Sequence, residues 1–474
     1  MKKILSMVLV GILVIGGFGA GASYIQKPSL KQAVTGDEYD MVIIAPEKFS
    51  SSIQPLLDHK NSIGVHTFLK TTEEIYAECD GRDKAEQIKY FIKDAIEEFN
   101  ITYVLLIGGR RGQSFDWYVP VRYANNKFHL QEGDFYHKRF FSDLYFADIY
   151  KENGEFEDWD SDGDNIFAEW EDNGPPEDSI DLIPDVYLGR LPCRTKDEVN
   201  CIVNKIIQYE NNVHGQEWFN KILLIGGDSF PGMGEPFPFE GEESCEWVMQ
   251  YLEGFTPTKL YASDGSLTGA ENFISAFNQG HGFVVFQGHG HQNKIYTYMP
   301  NSQEKISVFH NNNFKKLNNG DKLPVMIAGC CLTTTIDVGI FNFLNVFKNY
   351  KKYVNFFNFI DGCISNCLGW NMVKKSNGGS IAFIGSSSTA YLTVGDSNHD
   401  SIPDIVQTGY TTGLCNEFFK LFGNDENRIL GNIFSNSITN IIENHSAQGS
   451  WGQCKCVQEF NLIGDPSLKI GGYS

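Results

Sequence analysis

Short apolar runs alternate with longer amphipathic segments along most of this chain. Apolar runs of roughly 4 to 8 residues that end at Gly, Pro or polar residues are typical of strands buried on both faces of a sheet. Such runs predict strands at YDMVIIAP (39–46), VHTFLK (65–70), YVLLIGG (103–109), KILLIGGD (221–228), TKLYAS (258–263), FVVFQGHG (283–290), PVMIAGCC (324–331) and GSIAFIGSS (379–387).

The amphipathic segments predict helices between these strands. In KAEQIKYFIKDAIEEFN (84–100) the spacing of apolar residues predicts one buried stripe, which contains Ile88, Phe91, Ile92, Ala95, Ile96 and Phe99. Further helices are predicted at 50–62, 242–252, 271–279, 416–422 and 427–444. Alternating strands and helices predict an α/β fold with a doubly wound sheet. Because a second series of strands begins at residue 221, we expect two tandem α/β subdomains, 36–215 and 216–474, with a second sheet in the latter.

The amino terminus and the net charge bear on location and partners. Lys2 and Lys3 precede an apolar stretch from Ile4 to about Ala20, so residues 1–22 predict an export signal or a retained membrane anchor. A secreted or extracellular protein is expected, with membrane contact only through this segment. The formal net charge of −21 disfavours nucleic acid as a partner and favours cation binding.

Eleven cysteines are many for an exported chain. Their odd number leaves at least one free thiol if the others form disulfides. Cys363 with Cys367, and Cys454 with Cys456, could bridge, stay buried as thiols or clip a metal ion, although neither spacing is that of a usual zinc site.

Two of the predicted strands end in reactive side chains. FVVFQGHG closes with a Gly-rich segment that contains His289, and PVMIAGCC ends in Cys330 and Cys331. Side chains at the carboxyl ends of adjacent parallel strands share one crevice, and a thiol needs a positioned imidazole to act as a nucleophile. The pattern therefore predicts a Cys/His dyad.

An acidic segment at about 151–181 predicts a calcium site. Between Lys151 and Arg190 the chain has no basic residue. Carboxylates recur there at every second position and are followed by a Gly and a closing Glu, as in calcium loops. The candidate Ca²⁺ ligands are Asp158, Asp160, Asp162, Asp164 and Glu169, and a solvated acidic loop is the alternative.

A less complete version of this spacing occurs in GDSNHDSIPD. Its candidate calcium ligands are Asp396, Asn398, Asp400 and Asp404. The same residue types also form Asx turns with the local backbone, which is the alternative interpretation.

Several of these motifs, in this order, resemble the gingipain-like cysteine peptidases, which are similar to caspases, legumains and clostripain. The resemblance covers nearly the whole mature chain and includes YDMVIIAPEKF, PDVYLGRLPCRTKDEVNCIVNKIIQYE, GHG, GCCLTTTIDV, NGGSIAFIGSSST and VQEFNLIGDPSLKIGGYS. It implies a caspase-like, Rossmann-like three-layer α/β sandwich with two tandem subdomains, of which the second is catalytic. The acidic segment resembles calcium-binding inserts of microbial relatives.

The resemblance also implies roles for individual residues. His289 matches the family histidine, and counting seven residues from Pro324 selects Cys331 rather than Cys330 as the nucleophile. Backbone N–H groups of Gly290 and Cys331 would stabilise the oxyanion, and Glu242 is a candidate for the additional carboxylate of the family. Thr333 stands where the family commonly has Asn.

These observations predict a cysteine endopeptidase that hydrolyses protein or peptide substrates through an acyl-enzyme intermediate. In the expected mechanism a Cys331 thiolate attacks while protonated His289 delivers a proton to the leaving amine. The alternative is an extracellular binding protein stabilised by calcium, with a vestigial peptidase site.

Overall fold

The structure is a computed structural model that describes residues 38–112, 114, 116–127, 139–172, 174–233, 235–337, 366–408, 410–426, 428–444 and 450–474. Its strands are β1 (Met41–Ala45), β2 (Thr67–Thr71), β3 (Tyr103–Ile107), β4 (Arg122–Lys127), β5 (Phe140–Ser142), β6 (Glu169–Glu171), β7 (Tyr187–Leu191), β8 (Lys221–Gly226), β9 (Thr256–Tyr261), β10 (Phe283–Gln287), β11 (His289–His291), β12 (Lys294–Tyr298), β13 (Lys305–His310), β14 (Val325–Gly329), β15 (Ala382–Ser386) and β16 (Phe460–Ile463).

The helices of the same residues are α1 (Ser50–Ser62), α2 (Thr72–Glu78), α3 (Lys84–Phe99), α4 (Lys196–Asn212), α5 (Glu240–Val248), α6 (Ala270–Phe277), α7 (Leu368–Lys374), α8 (Asp404–Gln407), α9 (Thr411–Asn424), α10 (Leu430–Asn444) and α11 (Trp451–Glu459). Short 3₁₀ turns cover Glu47–Phe49, Asp143–Phe146, Met249–Tyr251 and Asn311–Lys316. Each strand and helix predicted from the sequence pattern is confirmed within a few residues.

Helix α3 shows how local sequence sets these boundaries. The Asp83 carboxylate accepts hydrogen bonds from the backbone N–H groups of Ala85 and Glu86 and so caps the first turn. The helix ends at Asn100, whose φ of 58° is left-handed. Four members of the predicted stripe, Ile88, Phe91, Ile92 and Ala95, are buried as expected.

Ten strands form one continuous sheet in the order β2-β1-β3-β7-β16-β15-β14-β10-β8-β9. The expected second sheet is therefore joined to the first. The link is β16, which runs antiparallel to β15 on one side and parallel to β7 on the other. Consecutive residues of β1, β10 and β14 are all buried, so layers of other elements cover both faces of the sheet.

Residues 34–474 form one compact unit. Within this ten-stranded sheet, the strands that precede residue 215 (β1, β2, β3 and β7) lie together at one end, and those that follow it lie at the other. Strands β4–β6 and β11–β13 form two separate three-stranded sheets. A boundary near residue 215 stays a prediction.

A buried ionic cluster ties the last residues to the first half of the chain. The Lys60 ammonium lies 2.8 Å from a carboxylate oxygen of Glu210 and 2.8 Å from one of Asp465, and all three side chains are buried. Removing one partner of such a cluster leaves an uncompensated charge in the core. The cluster therefore fixes the carboxyl-terminal segment, including β16, against α1 and α4.

Candidate active site

His289 lies just beyond the end of β10 and begins β11. Its Nε2 atom is 2.7 Å from the carbonyl oxygen of Ser229. A carbonyl only accepts hydrogen bonds, so Nε2 carries the proton and donates it, which leaves Nδ1 of the neutral ring as the basic nitrogen. The ring stacks on Tyr296 at a centroid distance of 5.1 Å. Burial lowers the pKa of His289, the nearby Lys305 charge lowers it further, and the hydrogen bond to Ser229 opposes both.

Cys331 lies just beyond β14, the strand beside β10, at a position equivalent to that of His289. Strands β10 and β14 are parallel, with Gln287 paired to Gly329, so His289 and Cys331 each lie two residues beyond a paired position. Gly290 packs directly on the cysteine loop, since a Cβ atom placed there would lie 2.2 Å from the carbonyl oxygen of Cys331. The structure thus brings the two predicted residues to one edge of the sheet.

The Cys331 thiol is enclosed by a loop that follows β15. The backbone N–H of Ala390 donates to Sγ over 3.3 Å. That loop is held in turn by Lys455 of α11, whose Nζ donates to the carbonyl oxygen of Thr389 over 2.6 Å and forms a fully buried ion pair with Glu459. Burial is the main cause that raises the pKa of Cys331 to about 11; Glu459 also raises it and Lys455 lowers it.

Cys330 occupies a different environment from its neighbour. It is only 2% exposed, and its Sγ would lie 2.6 Å from a Cβ atom at Gly290. Burial raises the pKa of its thiol well above the usual value. Packing against Gly290 agrees with the expectation that Cys330 fills the core, while Cys331 is partly exposed.

The residues after Cys331 form a tight turn attached to the β15 loop. Leu332 has a φ of 61°, a left-handed value that is uncommon for a bulky side chain, and its N–H donates to the Ser388 carbonyl over 2.8 Å. Thr333 is fully buried, and a Cβ atom at Gly385 would lie 2.5 Å from its hydroxyl oxygen. Its side chain therefore faces β15 and the core.

Glu242, the candidate third residue, is engaged elsewhere. Its carboxylate accepts hydrogen bonds from the backbone N–H and the hydroxyl of Ser263, and burial raises its pKa. The group that supports His289 is instead the backbone of Ser229, whose own N–H donates to Glu240 over 2.5 Å. Burial raises the pKa of Glu240 to about 7.

Sequence reasoning missed Ser229 and Glu240. A signal was available for the first of them, because KILLIGGD is a buried strand adjacent to β10, and the residues after it share the same edge of the sheet.

Comparison with known proteins identifies the family of this chain. The sequence profile of Peptidase family C25 matches residues 35–471. This chain belongs to peptidase family C25. It is similar to Gingipain R2 of Porphyromonas gingivalis, with 21% identity over 436 residues that cover 91% of this chain and 46% of that protein. It is also similar to Lys-gingipain of the same organism, with 25% identity over 217 residues that cover 44% of this chain and 10% of that protein.

A solved structure shares the fold of this family C25 chain. The crystal structure of the Arg-specific cysteine proteinase gingipain R aligns with a TM-score of 0.61 and 19% identity, over 92% of this chain and 79% of that one. This likeness confirms the expected caspase-like α/β fold. The chain spans about half the length of Gingipain R2 (46%).

The acidic insert of this family C25 chain gathers three carboxylates in the described residues. One oxygen each of Asp160, Asp162 and Asp178 lie within 4.8 Å of one another. Asp160 is 3% exposed, and its Oδ1 atom has no hydrogen-bond partner among the described residues. Its other oxygen is contacted by Arg82 and by the N–H of Asn165.

The remaining predicted ligands of this insert lie outside that group. Glu169 forms an ion pair with Lys127 across β4 and β6, Asp158 is 3.3 Å from Arg82, and Asp164 accepts from the N–H of Ile166 over 2.7 Å. Asp178, which no motif singled out, is the third member of the group. Its carboxylate accepts from the N–H groups of Ser161 and Glu169.

The second acidic segment is occupied by local hydrogen bonds. Asp396 accepts from the N–H groups of Asp400 and Ser401, Asn398 accepts from Asp400, and Asp404 accepts from Ser397. These contacts correspond to the Asx-turn alternative, and a calcium site there stays a prediction.

Two further expectations concern cysteines and the membrane. The cysteines that the structure describes are free thiols, whereas Cys363 lies outside the described residues. No helix within the described ranges is both long and apolar enough to cross a membrane. The predicted signal or anchor, residues 1–22, also lies outside those ranges.

Proposed function

We propose that this chain is a secreted or surface-attached cysteine endopeptidase in which Cys331 is the nucleophile and His289 the general base. The observation that carries the proposal is the register of β10 and β14, which sets the two residues at equivalent positions beyond adjacent strands. The packing of Gly290 on Cys331 supports it. Protein or peptide substrates follow from membership of a peptidase family.

The side chains support a complete hydrolytic cycle. Nδ1 of His289 takes the thiol proton as Sγ attacks the scissile carbonyl carbon, and the backbone N–H groups of Gly290 and Cys331 stabilise the oxyanion. The C–N bond then breaks, His289 gives its proton to the leaving amine, and a thioester remains on Cys331. Water, deprotonated by His289, hydrolyses the thioester and restores the thiol.

Hydrolysis of an unfolded protein such as carboxymethylated casein tests this assignment. We expect Cys331→Ala and His289→Ala to lose at least about a thousandfold in kcat/KM, because each removes an essential partner of one reaction. Cys330→Ala is the matched control and is expected to keep most of the activity. Equal turnover in the wild type and the Cys331→Ala variant would refute the assignment.

The pKa of about 11 for the Cys331 thiol favours a second candidate function, an extracellular binding protein with a vestigial peptidase site. A thiol that resists ionisation is a poor nucleophile unless its base acts during the attack. This candidate predicts that neither the wild type nor any of the three variants cleaves casein.

We also propose that the acidic insert binds a structural Ca²⁺ ion through Asp160, Asp162 and Asp178. Calcium prefers several carboxylate and carbonyl oxygens, and the buried Oδ1 of Asp160 provides an oxygen that no described protein group satisfies. The ion would supply positive charge where the insert concentrates negative charge.

A further inference from the structure

Exposed large apolar side chains are concentrated next to His289. The described part of the chain has four that stand out: Phe230 at 37% exposure, Met233 at 58%, Met299 at 37%, and Ile166 at 39%. Phe230 contacts the His289 ring, Met233 lies three residues after Phe230, and Met299 directly follows Tyr298, which also contacts that ring. Ile166 belongs to the acidic insert. We call Phe230, Met233 and Met299 the apolar rim.

Contacts with the histidine and between the loops place this rim at the candidate active site. The rings of Phe230 and Tyr298 each lie 5.5 Å from the His289 ring, both with edge-on geometry. Met299 follows Tyr298 directly, and the N–H of Met233 donates to the Phe230 carbonyl, which closes a turn.

Hydrogen bonds to one carbonyl hold the two loops together. The Asp228 carbonyl accepts from the N–H of Tyr298 over 3.1 Å and from the Thr297 hydroxyl over 2.9 Å. The rim is therefore a fixed feature of the cleft and not two independent loop tips.

Apolar side chains left in water beside a reactive group are typical of a ligand site. Contiguous exposed apolar surface on a folded protein marks a binding surface more often than scattered single residues do. Binding pockets are lined mostly by hydrophobic and aromatic side chains. Methionine adds a flexible, polarisable surface that adapts to different apolar partners.

Charges of both signs lie around the rim, so the apolar side chains themselves indicate the class of ligand. The exposed Lys305 ammonium lies 4.8 Å from the Tyr296 ring and 5.7 Å from the Tyr298 ring, and its charge contributes to the lowered pKa of His289. The carboxylates of Asp228 and Glu240, which lie near the same loops, are 3% and 1% exposed. Glu304 is exposed as well, and its backbone carbonyl accepts from the N–H of Met299 over 2.8 Å, so accessible charges of both signs lie near the rim.

From these observations we infer that the apolar rim binds an aromatic or large aliphatic side chain of the substrate, within two residues of the scissile bond. This assignment rests on the proposed function and concerns the substrate class of the same site. It differs from the arginine specificity of gingipain R, the cysteine proteinase whose crystal structure shares this fold.

Cleavage of a mixed peptide library tests the assignment. The wild type is expected to enrich Phe, Tyr, Leu or Met about tenfold at one position within two residues of the cut, the discrimination that an apolar pocket ordinarily achieves. The Phe230→Ser/Met299→Ser double variant should lose this enrichment mainly through KM, because contacts made equally in the ground and transition states affect KM and not kcat. Ile166→Ser, which alters an exposed apolar residue away from the rim, should keep the wild-type profile.

Binding measurements separate failure of this inference from failure of the proposed function. Calorimetric titration of Cys331→Ala with a phenylalanine-containing peptide measures rim binding without turnover. We expect the Phe230→Ser/Met299→Ser substitutions, added to Cys331→Ala, to weaken binding about tenfold relative to Cys331→Ala alone. Enrichment of Arg or Lys alone, or apolar enrichment and affinity that are unchanged in the double variant, would overturn the inference.

Discussion

At the scale of single residues, burial makes Cys331 and His289 a neutral pair. Excluding water disfavours both the thiolate and the imidazolium, and accordingly the pKa of Cys331 rises to about 11 while that of His289 falls. The sequence analysis expects a thiolate and an imidazolium that exist before the attack. Burial shifts both pKa values in the direction that disfavours these charged forms. The proton is better transferred as the thiol attacks.

The pH dependence of alkylation tests this neutral pair. Below its pKa, the thiolate fraction of Cys331 rises about tenfold for each pH unit, so the rate of reaction with iodoacetamide should climb steadily from pH 7 to pH 10. The Cys330→Ala variant is the background for the measurement, with the modified cysteine located by mass spectrometry. A rate that reaches a plateau near pH 7 would show a preformed thiolate instead.

Strand-end position was enough to predict His289 and the Cys330–Cys331 pair from the sequence, because both follow long apolar runs, and the family resemblance then selected Cys331. The end of β8 indicates the position of Ser229 in the same way, but it does not indicate the role of Ser229 as the partner of His289. Ser229 acts through its backbone carbonyl, and a backbone group carries no side-chain signal. Thr333 shows the opposite case, since this polar residue, two positions after Cys331, lies in the core.

At the scale of elements, the acidic insert shows that the pairing of strands can separate carboxylates that the motif spacing groups together as candidate calcium ligands. Glu169 begins β6, which lies beside β4, and there its carboxylate pairs with Lys127. The loop after β6 then returns Asp178 to Asp160 and Asp162. Motif spacing describes a single continuous loop, so it could not predict a ligand that arrives from the following segment.

Thermal unfolding with calcium or with EDTA tests the proposed ion site. An ion that binds only the folded protein stabilises it by about 2.7 kcal/mol at a free concentration 100 times its Kd, so calcium should raise Tm. Asp178→Asn should remove most of this response, whereas the matched Glu169→Gln variant should retain it. The same Tm in calcium and in EDTA for the wild type would contradict the site.

At the scale of the whole molecule, the sheet consists of two parallel blocks that run in opposite directions. The two blocks meet where β16 pairs antiparallel with β15. On its other side β16 pairs with β7, with Ile463 opposite Arg190. The alternation of strands and helices predicted eight of the ten strands in these blocks and missed β7 and β16. The alternation did not predict that the two blocks join into one sheet, because β16 is a four-residue strand whose partner β7 lies far away along the chain.

In the proposed function, Cys331 is the nucleophile of a peptidase site that His289 activates. Its most direct test is covalent trapping with a mixed pool of peptidyl acyloxymethyl ketones, followed by mass mapping of the adduct. We expect about one adduct per chain, located on Cys331, formed by the wild type and Cys330→Ala and much more slowly by His289→Ala. An adduct on Cys330, or peptide hydrolysis that continues while Cys331 stays unmodified, would contradict it.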